Sequence, residues 1–320
     1  MNSVQLLTFL TAPIILNRYS NDFSSFHPEV IAMESLMFLS NKTVMANLVY
    51  RDFETEVADK GSSVSTRKPS AFTAQNRNGE NKVIVQSATA TKVQVTLSQQ
   101  KHVSFLIDRA DAAKSVKDLR EDYLEPAMDA LAQVVDTDIL GLFADILAAP
   151  TEYPAFPGSS VGSYGSPLTL ATIISARETL NVQQAPNENR RIVFGPQGEG
   201  ELLNIAEFTA ANFQPVAVAG SAAESGSVTR RYGFDFYLDQ NVPLSGGGYN
   251  NLAFHKNAFG LVTRLLPELP GLMSTVVNYR GIGIRYCWVI DPEQFGLKLL
   301  FEILYGVHTY DPYLASVVEN

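Results

Sequence analysis

The chain has 320 residues, 46% of them hydrophobic and 18% charged, which supplies a well-filled core and excludes a disordered chain. With a net charge of −9 and a pI near 5.0 it cannot neutralise a phosphate backbone wholesale, so beside nucleic acid it would coat rather than grip. Its single cysteine, Cys287, excludes an intramolecular disulfide framework and suits a reducing compartment.

The opening MNSVQLLTFLTAPIILNRYS (Met1 to Ser20) falls short of the ~20 apolar residues of a membrane span. It lacks the basic start and small-residue cleavage site of a signal peptide, and reads as a hydrophobic arm. Pro28 to Ser40 has helical spacing at Val30, Met33 and Met37 and at Ile31, Leu36 and Leu39, with Pro28 in a first-turn position. Val44 to Tyr50 leads into Arg51 to Asp108, too long for a turn and too strand-like for a linker. Apolar residues alternate there at Val83 and Val85, at Val93, Val95 and Leu97, and at Val103, Phe105 and Ile107. A wholly polar tip, Gln75 to Asn81, separates the outgoing and returning strands. A two-stranded arm is marginal alone in water, so this hairpin is expected to lie on another copy of the chain.

Asp111 to Leu147 is the longest helical pattern, with apolar residues at Ala127, Ala130, Val134, Leu142 and Ile146, widened by Leu131, Val135, Ile139 and Phe143. Pro126 either kinks this helix or starts a fresh one. From Pro126 to Leu147 it would form a strut of about 33 Å. Ala149 to Pro167, rich in Pro, Gly and Ser, reads as a loop or domain boundary. Thr169 to Leu180 and Glu199 to Phe208 read as helices, and Arg191 to Gly195 and Phe234 to Leu238 as strands. Ala217 to Val228 and Ser245 to Gly248 read as flexible. Leu252 to Thr263, Gly281 to Asp291 and Leu297 to Tyr310 are strand-rich. Helices and strands mix without a regular βαβ rhythm, which makes the fold α+β.

No reactive constellation emerges. The four histidines, His27, His102, His255 and His308, have no partners at metal-ligand spacing. Gly195 to Gly200 (GPQGEG) lacks a following GK[ST], and Glu199 and Glu201 already occupy the helix start, so it reads as helix capping. The carboxylate pairs Glu54/Glu56, Glu121/Asp122 and Asp136/Asp138 read as solvated faces. Cys287, in a strand-like run, reads as a buried small hydrophobe. No catalytic residue, cofactor site or metal site is predicted.

Several strings together resemble one family, the major capsid proteins of tailed bacteriophages with the Hong Kong 97-type fold, nearest to the gene five-like coat protein branch. They are MANLVYRDFETEVADKGSSVSTRKPSAFTA, DLREDYLEPAMDALAQVVDTDIL, YGFDFYLDQNVP, LAFHKNAFGLVTRLLP, GIGIRYCWVIDP and LYGVHTYDPYLASVV, in that order over most of the chain. The resemblance implies an N-terminal arm and short helix over 1–50, an extended β-hairpin loop over 51–107, and a peripheral-domain spine helix over 108–150. It further implies an axial domain over 151–252, and peripheral-domain strands over 253–320 whose end returns to the axial domain. The implied function is self-assembly into pentamers and hexamers of an icosahedral shell enclosing double-stranded DNA, without cofactor, sequence-specific DNA contact or membrane. Implied partners are further copies of the chain, a separate scaffolding protein, a portal protein, and room for a decoration or cement protein. Arg67 and Lys68 in the hairpin base are expected to form inter-subunit charge pairs with Glu54, Glu56 and Asp59, and Pro126 is the expected hinge. Lys82 and Lys92 lie in the hairpin, but no catalytic carboxylate with an Asn partner marks a covalent crosslink. An encapsulin-type nanocompartment shell and a virion decoration or binding protein remain the alternatives.

Overall fold

In the computed structural model the described residues are 28–51, 63–68, 72, 74, 86, 91–107, 123–148, 150–209, 230–268, 273–279, 282–291 and 296–320. Of the two apolar rows the sequence offers in helix α1 (Pro28–Lys42), the core takes Ala32, Leu36 and Leu39, while Met33 and Met37 turn outward. A four-residue helix, α2 (Met45–Leu48), follows where the sequence suggested a mere lead-in.

The first sheet is built round one long strand, β12 (Gly296–Thr309). One edge of β12 pairs with β3 (Gln99–Ile107). Along the other edge β11 (Ile282–Asp291) and then β9 (Phe259–Arg264) pair in succession, and β10 (Met273–Tyr279) extends β11; every pairing is antiparallel. Strand alternation sends Leu299, Phe301, Ile303 and Tyr305 of β12, with Ile282, Ile284 and Tyr286 of β11, to a single face. Helices α1 and α3 (Glu125–Leu140) cover that face. Strand β10 had no counterpart among the sequence expectations, although its β-branched content is that of a strand. Val103, Phe105 and Ile107 lie on β3, so they belong to this sheet and not to the hairpin.

The 33 Å strut is interrupted. At Leu142 the backbone bond shifts to an i−3 partner, Leu142 N–H to Ile139 O, and the chain restarts as α4 (Phe143–Leu147). The buried stripe of α3 runs through Leu131, Val135 and Ile139 with Met128, Asp136 and Leu140, while Ala130 is exposed and Val134 half-buried. The row expected as the edge of the stripe is therefore its centre.

The second sheet has the order β4 (Ser160–Gly162), β13 (Ala315–Glu319), β8 (Gly248–His255), β5 (Arg190–Phe194), β6 (Asp235–Leu238), with β7 (Leu244–Ser245) pairing β8. Its alternation serves two cores at once. Val193, Leu252, Phe254, Ala315 and Val317 join the core of the first sheet. Ile192, Phe194, Ala253 and Val318 face a second core with α5 (Leu170–Val182), α6 (Pro196–Asn204) and α7 (Ala206–Thr209). Thr169 caps α5, its Oγ1 accepting from Thr172 N–H. Two sequence expectations change here. The run from Gly195 is not a loop before a helix, because Pro196 already opens α6 with Gly195 as its N-cap. Ser245 to Gly248 is a tight hairpin, since Gly246 and Gly247 supply the positive φ (68° and 95°) that a two-residue turn demands. Ala217 to Val228 lies outside the described residues.

Candidate assembly surface

The hairpin arm rests on its own subunit at its base. Strand β1 (Ser63–Lys68) pairs antiparallel with β2 (Thr91–Thr96), placing Val64 opposite Val95; both are buried against Val262 of β9. The backbone of β2 crosses β12 at Gly306, where a Cβ would come within 2.3 Å of Thr96 O. The expectation that the arm must lie on another copy therefore fails for its base, which a glycine cut into the sheet accommodates. Replacing Gly306 with valine lifts the base off: hydrogen exchange in β1 and β2 accelerates at least about tenfold while β5 and β8 keep their protection. Unchanged exchange in β1 and β2 refutes this anchoring.

Arg67 and Lys68 both lie on β1, in register with Lys92 and Thr91. Glu54, Glu56, Asp59, Lys82 and the tip 75–81 lie outside the described residues. Further out, Phe72 is 66% exposed.

The joint between α1, α2 and α3 is polar and buried, which sequence reasoning missed. Asp136 on α3 accepts from Val44 N–H at 2.7 Å and Ala46 N–H at 3.2 Å, serving the first turn of α2 that no local side chain caps. Asn47 turns back to donate to Ser40 O at 3.1 Å and Thr43 O at 2.7 Å, completing the end of α1. Arg191 reaches across from β5 to Leu48 O. Burial, aided by the nearby Asp239 carboxylate and opposed by these N–H groups, pushes the Asp136 pKa up to about 7. Asp239 is likewise raised by burial, and its Oδ2 is without a partner.

The solvated reading of the Asp136/Asp138 pair is thus corrected: a helix row that looked polar turns inward because backbone donors await it. Asp138 is half-buried, accepts from the Tyr305 hydroxyl at 2.5 Å and lies 3.5 Å from Lys101 Nζ. The only signal available beforehand was an aspartate recurring among apolar neighbours on α3. Pro126 falls in the first turn of α3, where its missing N–H costs nothing.

His255 is buried, and burial followed by the charges of Arg190, Arg191 and Lys256 lowers its pKa. His308 Nε2 lies 3.1 Å from Glu152, and His102 is exposed; His27 is outside the described residues. Cys287 is buried and its thiol pushed up by burial. Among the described residues no His, Cys, Asp and Glu cluster forms a metal site. Nor is any described helix long and apolar enough to cross a membrane.

A family model described as phage capsid protein matches residues 53–265, from the arm to the end of β9. The chain belongs to the phage capsid protein family. In three dimensions the capsid protein is similar to a structure from Mycobacterium phage Che8, with 21% identity and a TM-score of 0.63 over 86% of this chain and 90% of that one. It is also similar to the capsid of cyanophage P-SCSP1u, with 17% identity and a TM-score of 0.61 over 87% and 88% of the two chains. For the capsid of Ralstonia phage GP4 the values are 13% and 0.61 over 85% and 87%. At these identities the likeness is one of fold, the α+β architecture of Hong Kong 97-type capsids. No curated protein sequence matches the capsid protein. It is a structural protein of the phage virion.

Proposed function

We propose that this capsid protein, of the gene five-like coat protein branch, forms the pentamers and hexamers of an icosahedral shell enclosing double-stranded DNA. The observation that carries the reading is the arm: its base is fixed on its own sheet, while Phe72 further out is exposed. Such a projection gains its contacts from a neighbour, and closure multiplies modest contacts round rings. Strand pairing supports the following division into parts. The arm ends at Leu97 and Ser98, α3 is the spine, the first sheet is the peripheral domain, and the second sheet with α5, α6 and α7 is the axial domain. Pro126 and the Pro150–Pro167 segment are the hinges about which subunits rotate during maturation. A net charge of −9 suits an inner wall along which packaged DNA slides. Assembly takes place in the host cytoplasm with a separate scaffolding protein and a portal protein, and a decoration protein binds outside.

Electron microscopy and sedimentation of the chain, expressed alone and with candidate scaffolding, test this. Closed shells or capsomer rings are expected, with uniform shells requiring the scaffold. Deleting Gln75 to Lys82 leaves a folded subunit that no longer closes shells. A compact monomer under both conditions, or intact shells from the deletion, overturns the arm-mediated reading.

A further inference from the structure

We infer that Arg177, Arg190, His255 and Lys256 form a binding site for a phosphate group at one end of the second sheet. The strands bring them there. Arg190 opens β5 and His255 closes β8, and the antiparallel register sets the two directly opposite each other. Two residues further along, Ile192 and Ala253 are partners in the same register and both enter the second core. Strand alternation therefore turns Arg190 and His255 to that same face, the one beneath α5. Lys256 follows, and its N–H donates to Asn189 O at 3.2 Å, tying the end of β8 to the start of β5.

Arg177 reaches this end from α5. It lies against the tight turn Arg231 to Phe234, which two backbone bonds close and which has positive φ at Tyr232 and Gly233 (48° and 82°). A Cβ on Gly233 would stand 3.6 Å from Arg177 Cζ, so the bare turn leaves the guanidinium room.

Each of the four keeps a donor uncommitted. Arg190 donates through Nε to Pro186 O at 2.7 Å and through Nη2 to Ala185 O at 2.6 Å, which fixes its fork and leaves Nη1 over. His255 Nδ1 accepts from Asn257 N–H at 3.2 Å, so the ring proton is on Nε2. Arg177 is exposed and Lys256 half-buried, and neither meets an acid or an acceptor among the described residues. The exposed acids close in the sequence, Glu178 and Glu188, form no ion pair there either.

This gathering is costly in a chain of net charge −9. Burial, then the charge of Arg177, lowers the Arg190 pKa, so the two cations repel one another. Arg191 points to the opposite face and is spent on Leu48 O. An oxyanion removes the repulsion and accepts from several donors at once, and the planar fork of arginine matches its oxygens. Inorganic phosphate and the backbone of DNA share that chemistry.

Calorimetric titration of the full-length chain at fixed ionic strength tests the site, with inorganic phosphate in one arm and a short DNA duplex in the other. Saturable binding is expected. Arg177→Gln, at an exposed position that the fold does not need, should weaken it at least about tenfold. Lys298→Gln, the same loss of charge at an exposed position on the first sheet, should leave it unchanged. Binding of phosphate alone assigns the site to the free ion, whereas duplex binding lost in Arg177→Gln assigns it to the DNA backbone. No binding in either arm, or equal weakening by both variants, overturns the site. The shell reading, which depends on the arm, stands in every case.

Discussion

Replacing Asp136 with alanine destabilises the unassembled subunit by about 3 kcal/mol at pH 5 and by little at pH 8, measured by urea unfolding of isolated subunits. The first figure follows from stranding the buried N–H groups of Val44 and Ala46, each worth ~1–3 kcal/mol. The pH dependence follows from burial, which raises the folded-state pKa to about 7 from the usual 3.8. Between those values the folded chain holds a proton that the unfolded chain has released. The stabilisation from Asp136 is therefore complete below about pH 4 and is lost as pH rises through about 7, at ~1.4 kcal/mol per unit. A penalty that does not change between pH 5 and pH 8 refutes the argument. Asp239→Asn removes the negative charge that helps raise Asp136, so it should move the midpoint of this dependence to lower pH.

Asn251→Ala should cost about 4 kcal/mol, with no comparable pH dependence, in the same unfolding measurement. Asn251 is fully buried on β8 and uses both ends of its amide. Its Oδ1 accepts from Gly195 N–H at 2.8 Å, and its Nδ2 donates to Val318 O at 3.0 Å and Asn320 Oδ1 at 2.8 Å. Asn320 in turn donates to Glu201, which also accepts from Leu168 N–H and Gln197. Burial would push the Glu201 carboxyl up, but these hydrogen bonds outweigh it and hold the carboxyl below its usual range. Truncating Asn251 leaves a donor and two acceptors buried without partners, joining β5, β8 and β13 no longer. A loss under 1 kcal/mol shows that the chain relaxes round the gap.

What the sequence disclosed was what local periodicity encodes. Alternation located β2 and β3, the strand-rich runs covered β9, β11, β12 and part of β8, and the helix read over Thr169 to Leu180 matches α5 to within two residues. What it concealed depends on partners distant in the chain. Val103, Phe105 and Ile107 have the same alternation whether they pair with an arm or with β12, and pattern alone cannot choose between them. Asp136 looks solvated until Val44, more than ninety residues away in the chain, presents its N–H. Gly306 shows no local need for glycine; the need is created by Thr96 crossing above it.

The position of β13 bears on when the subunit comes into being. This last strand lies inside the second sheet, pairing β4 on one side and β8 on the other, and its Val317 and Val318 enter both cores. A nascent chain that has passed the arm, the spine and most of the strands still lacks the piece that joins Ser160–Gly162 to the rest. Synthesis and folding are thereby put in sequence. The second sheet therefore closes only once Ala315–Glu319 has been made, long after the Ser160–Gly162 strand that it joins.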